Sequence, residues 1–142
     1  MTILPQIFAH GLVAAFVLHG LLSPALVQQT LLPPSLISPY EGAEMDNGCR
    51  DQSDPIRWEF DWDDVWGATL YNIKVWHNPE KPVINDAYVT VSGYKDVSQK
   101  SYITESNRKG WCWKVRAKVG REWGEWSEVR CFDVEPLDTD CP

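Results

Sequence analysis

Polar and apolar residues alternate with a period of two over most of the chain. Ile56, Trp58, Phe60 and Trp62 alternate with Arg57, Glu59 and Asp61, the signature of a strand with one buried and one wet face. Leu70 and Tyr71 open a second run, in which Tyr71, Ile73 and Val75 alternate with Asn72, Lys74 and Trp76. Val89 and Val91 predict a third strand, and residues 101–104 a short fourth. In the next run Trp111, Trp113, Val115 and Ala117 share one face, and Cys112, Lys114, Arg116 and Lys118 the other. A last strand is predicted over residues 127–134, with Phe132 and Val134 inward. Turn signals separate these runs at Asn47-Gly48, Trp66-Gly67, Asn78-Pro79, Ser92-Gly93, Lys109-Gly110 and Gly120. No helical periodicity is sustained after residue 30. About seven short strands at this spacing predict an all-β sandwich.

The order of the pieces adds a resemblance. Pro39 and Gly42, Trp58-x-Phe60-x-Trp62, Gly67-Ala68-Thr69-x-Tyr71-x-Ile73-x-Val75, Trp113-x-Val115-Arg116-Ala117 and Trp126-Ser127 together resemble a fibronectin type III, immunoglobulin-like domain over residues 34–136. That family usually opens its sixth strand with a Tyr whose hydroxyl closes a corner. Trp111 stands near that place and offers an N–H donor but no acceptor. Trp123-Gly124-Glu125-Trp126-Ser127 is similar to the WSxWS box of class I cytokine receptors, with Gly124 in place of the first Ser. The resemblance implies a cation–π ladder in which Lys114, Arg116 and Lys118 stack with Trp123 and Trp126, each exposed pair contributing roughly 0.5–1 kcal/mol. The plainer reading is a tight connection with a stacked Trp, as in fibronectin-like modules outside receptors.

Charge changes the picture at the N terminus. Of 142 residues, none before Glu41 is Asp, Glu, Lys or Arg. The apolar run over residues 11–22, followed by Ser23, Pro24 and Ala25, reads as a signal-peptide core with a cut near Ala25. The rival reading is a retained apolar helix from about Ile7 to Val27, because the segment before the run lacks Lys and Arg. Residues 1–25 are thus a signal peptide or an apolar helix, 26–33 a leader ending in an extended Pro33-Pro34, and 137–142 a tail. Both readings place the domain outside the cytoplasm, secreted or at the cell surface. The net charge of -7 argues against nucleic acid as a partner and against anionic membranes. A membrane enters only if the apolar segment is retained.

Four cysteines in an exported chain predict disulfides. With a hairpin centred near residues 120–122, Cys112 and Cys131 lie across from one another, which leaves Cys49 with Cys141. The other two pairings stay open. No Cys-x-x-Cys spacing is present, and no metal or cofactor is expected.

Candidate chemistry is sparse. Asp61, Asp63 and Asp64 could offer oxygens to calcium but fit no EF-hand spacing, and a solvated loop end explains them. Nothing marks a carboxylate among Glu59, Asp63 and Asp64 as a general acid. His77 has no nucleophile signature beside it. No catalytic residues are expected. Trp66, Trp76, Tyr94 and Trp123 are the candidates for exposed aromatic contact with a protein or a glycan. The expected function is therefore a non-catalytic, secreted or cell-surface contact module. The alternative is a self-associating subunit of an extracellular filament or surface layer, docked through its N-terminal apolar segment.

Overall fold

The computed structural model describes residues 31–50, 54–98 and 102–137. The expected signal peptide or helix at 1–25, residues 26–30 of the leader, Cys141 and the tail past Leu137 lie outside the described residues. So does the basis of the self-assembly alternative.

Nine strands are present among the described residues: β1 (Leu36–Ser38), β2 (Ala43–Met45), β3 (Ile56–Trp62), β4 (Ala68–Trp76), β5 (Ile84–Val89), β6 (Gly93–Ser98), β7 (Trp111–Val119), β8 (Glu122–Trp123) and β9 (Arg130–Val134). One sheet has the order β1-β3-β6. The facing sheet runs β2-β9-β7-β4-β5, with β8 paired to β7. All pairings are antiparallel except β2 on β9. This is the two-sheet fibronectin type III-like sandwich.

The alternation read from the sequence fills the space between the sheets. Ile56, Trp58, Phe60 and Trp62 of β3 face Tyr71, Ile73 and Val75 of β4, Trp111, Trp113 and Val115 of β7, and Phe132 and Val134 of β9. Aromatic rings meet across the layers edge-on or tilted. Trp58 lies 5.2 Å from both Trp111 and Phe132, Phe60 lies 5.1 Å from Trp113, and Trp62 lies 5.4 Å from Tyr71. Such offset geometries suit the ring quadrupoles.

Three expectations are corrected. Residues 101–104 form no strand where they are described. They lead into a 3-10 turn, Glu105–Asn107, because Ile103 and Thr104 bond to a buried side chain and the turn rather than to a ladder. Val91 is not a strand residue but an exposed link, and the last strand starts at Arg130 rather than at residue 127. Conversely, β6 follows directly on the Ser92-Gly93 turn signal. It is hidden in the sequence because Tyr94 and Asp96 oppose inward-facing Phe60 and Trp58, so its core side carries a carboxylate where an apolar residue is expected.

Two polar side chains fix the loops at one end. Trp111 donates its indole N–H to the Asn107 carbonyl at 2.7 Å, which ties the start of β7 to the 3-10 turn before it. Asn47 is fully buried. It donates to the carbonyls of Ile103 and Glu135, each at 3.0 Å, and accepts the Ile103 N–H at 2.7 Å. It thereby joins the turn after β2, the β6–β7 connection and the segment after β9.

Replacing Asn47 with Ala strands the Ile103 N–H and two carbonyls, and is expected to lower unfolding stability by about 2–4 kcal/mol in urea titrations. A loss under about 0.5 kcal/mol, the range of ordinary surface changes, would contradict the bonding described. Burial raises the Asp96 carboxyl above its ordinary value of 3.8. The folded state therefore holds that proton more tightly than the unfolded chain, and this group's contribution to stability falls as pH rises through the window above 3.8. Asp96→Asn is expected to raise the urea midpoint at pH 7 and to leave it nearly unchanged at about pH 3, below both carboxyl values. An equal shift at both pH values would refute the burial argument.

Candidate functional site

Two candidate surfaces are a loop cleft and a sheet face; a further open cleft of about 480 Å³ lies along β3 and β6, between Ser38, Glu59, Asp61, Val91, Tyr94 and Lys95. The loop cleft lies at the connection from β3 to β4. After Trp62 the strand gives way to Asp63 and Asp64, and a turn closes with Ala68 N–H donating to the Val65 carbonyl at 3.0 Å. Gly67 takes a left-handed conformation in that turn, at φ 77°, which an L side chain rarely adopts. Trp66 therefore sits at the turn's outer corner. The Tyr71 hydroxyl accepts the Val65 N–H at 3.0 Å, anchoring the loop to the core. Asp63 N–H donates to Ser35 O at 2.9 Å and draws the proline-bearing leader alongside.

Between residues 32–35, where the leader enters the domain, and loop residues 63–66 lies an open cleft of about 420 Å³. Its walls carry the Asp63 and Asp64 carboxylates, the Ser35 hydroxyl, two prolines and the Trp66 indole, with no Lys or Arg. Trp66 is 92% exposed. The other seven tryptophans are buried or half-buried.

The second surface is the outer face of β7 and β4. Gly124 N–H donates to Ala117 O and Ser127 N–H to Val115 O, both at 2.8 Å, so residues 123–127 run along β7 and lay two indoles over its outward side chains. The Ser127 hydroxyl accepts the Val115 N–H at 3.0 Å and donates to Glu128 O at 2.7 Å. A Cβ at Gly124 would stand 3.2 Å from the Leu31 side chain, a contact that Leu31 would have to yield to by a few tenths of an ångström.

Arg116 lies between Trp123 and Trp126, its guanidinium carbon 4.7 and 4.5 Å from the two ring centres. Lys118 extends the stack beyond Trp123 at 5.8 Å, and Lys114 extends it from Trp126 at 4.6 Å to Trp76 at 5.7 Å. Lys74, which the sequence reading did not include, joins over Trp126 at 5.2 Å. The Arg116 Nε atom is buried without a hydrogen-bond partner, so ring faces stand where oxygen acceptors would be. The Cys112–Cys131 disulfide joins directly paired residues of β7 and β9 at the end of this row. Cys49 is disulfide-bonded as well, and its expected partner Cys141 lies outside the described residues.

The four aromatic candidates therefore part company. Only Trp66 is free-standing. Trp76 and Trp123 are half-buried members of the stack, and Tyr94 packs against the core. Burial, followed by the nearby Asp86 and Asp96 carboxylates, raises the Tyr94 hydroxyl above its ordinary value. His77 sits against Trp111 at 5.3 Å, with Nε2 3.1 Å from Lys109 O. Among the described residues no group of three His, Cys, Asp or Glu side chains is placed to hold a metal ion, Asp61, Asp63 and Asp64 included.

No family model matches the sequence, and no curated protein matches it. A solved structure of an Fn3-like protein from Clostridium thermocellum is similar over 75% of this chain and 99% of that one, at 15% identity and a TM-score of 0.44. The fold assignment rests on the strand order and the facing sheets described above.

Arg116→Ala removes two ring contacts and the packing of the side-chain stem. It is expected to destabilise the fold by about 1–3 kcal/mol, read from urea unfolding. Arg116→Lys should recover part of that loss. If Arg116→Ala unfolds at the wild-type midpoint, the stack contributes nothing to stability.

Proposed function

We propose that the chain is a non-catalytic, secreted contact module that holds a glycan against Trp66. The observation that carries this reading is a nearly fully exposed indole at the mouth of a cleft, in a protein that packs its other tryptophans. An exposed indole offers a broad apolar face for contact. A sugar ring can lay its C–H face on the indole, while hydroxyls donate to the Asp63 and Asp64 carboxylates and to Ser35. A protein hot spot instead favours a closed, desolvated surround, and this cleft is open and sets two carboxylates beside Leu32, Val65 and two prolines. Export is supported by the Cys112–Cys131 bond and by the apolar run at 11–22.

The test is a glycan array probed with the intact disulfide-bonded protein and with Trp66→Ala. The expected result is retention of a defined set of neutral glycans by the wild type. Trp66→Ala should bind at least about ten-fold more weakly, with the thermal midpoint unchanged. An array that retains nothing, or a variant that binds like the wild type, would overturn the proposal.

A further inference from the structure

Lys74 of β4 and Lys114 of β7 are direct cross-strand partners, and both ammonium groups stand over the Trp126 ring, at 5.2 and 4.6 Å. Like charges directly opposed on one sheet face are destabilising. Arg116 and Lys118 follow on the same face, opposite Asn72 and Leu70, and Lys118 also pairs with Trp123 of β8. None of these register partners is acidic. The ion pairs among the described residues involve Arg57, Lys95, Arg108 and Arg130, and none of the four cations of this face. Glu122 and Glu125 are exposed beside the stack and form no ion pair with it among the described residues. In a chain with 20 acidic and 13 basic residues, four cations that form no ion pair among the described residues are thus gathered on one face.

We propose that this face, centred on the Lys74–Lys114 pair, binds an acidic polysaccharide through its sulfate or carboxylate groups. An anion placed between the two lysines would relieve their mutual repulsion. Alternate residues of β7 set Lys114, Arg116 and Lys118 about 7 Å apart along a straight row. The indoles hold the row in place before any ligand arrives, which lowers the ordering cost of binding. β7 lies between β9 and β4, so its backbone groups are already paired and an acidic peptide cannot add to it as a strand. Recognition here falls to side-chain charge and to the rims of the indoles, which a hydrated polyanionic sugar chain fits. This surface is separate from the Trp66 cleft, and the inference stands or falls without it.

The test titrates the intact disulfide-bonded protein with a heparin decasaccharide by calorimetry, with a neutral oligosaccharide of equal length and a polyglutamate peptide as controls. Heparin is expected to bind, and to weaken roughly twenty-fold between about 50 and 200 mM salt if about three charges are neutralised. The double variant Lys74→Gln/Lys114→Gln should bind about ten-fold more weakly or worse. It should keep the native fold, since the relieved repulsion and the three lost ring contacts oppose one another. Trp66→Ala should bind heparin normally. The inference is overturned if heparin does not bind, if the double variant binds it unchanged, or if polyglutamate binds as tightly as heparin at equal salt.

Discussion

One strand constrains both sides of this molecule. β7 turns Trp111, Trp113, Val115 and Ala117 into the core and Cys112, Lys114, Arg116 and Lys118 outward. Because side chains alternate strictly along a strand, a slip of one residue would bury three cations and expose two tryptophans. Desolvating those charges without partners is costly enough to exclude the slipped register. Once that register is set, the Cys112–Cys131 bond, the Ser127 hydroxyl on the Val115 N–H and the seat of Arg116 between two indoles all follow from it. The loop that bears Trp66 is tied to the same sheet, through Tyr71 on the neighbouring strand β4.

The sheet edges are guarded, and this directs contact toward faces and loops. β5 carries a register irregularity against β4, and the Asp86 carboxylate accepts the Tyr88 N–H at 2.8 Å, so that outer amide is already satisfied. β6 points Asp96 toward the core side, and β1 and β2 are three residues each. Bulges, inward charges and short strands all discourage edge-to-edge pairing. The two surfaces proposed for ligands differ in sign. The Trp66 cleft carries carboxylates and no cation, whereas the β7 face carries cations held against rings.

Much of the fold was legible because its main strands are amphipathic. The alternation around Trp58, Ile73 and Trp113 fixed which side chains face inward, and the hairpin at Gly120 placed Cys112 opposite Cys131. What escaped was polar. β6 has no apolar stripe to read, since Asp96 occupies a core-side position. Asn47 looked like half of an Asn-Gly turn, and nothing local signals that it bridges residues 56 and 88 positions away. Lys74 fell outside the expected ladder because its place over Trp126 depends on β4 lying beside β7, a long-range pairing. Trp66 stood out in the sequence, but its cleft did not, because the second wall comes from the leader through the Asp63–Ser35 bond.

The dependence of the whole on β7 is measured most directly by residue-resolved native-state hydrogen exchange of the intact protein. Amides that open only with global unfolding report the most stable element. The account predicts that Val115 and its β7 neighbours, with their β4 partners, exchange slowest of all, and that β1 and β6 open first. If Val115 exchanges as fast as the amides of those edge strands, β7 is not the element on which the structure rests.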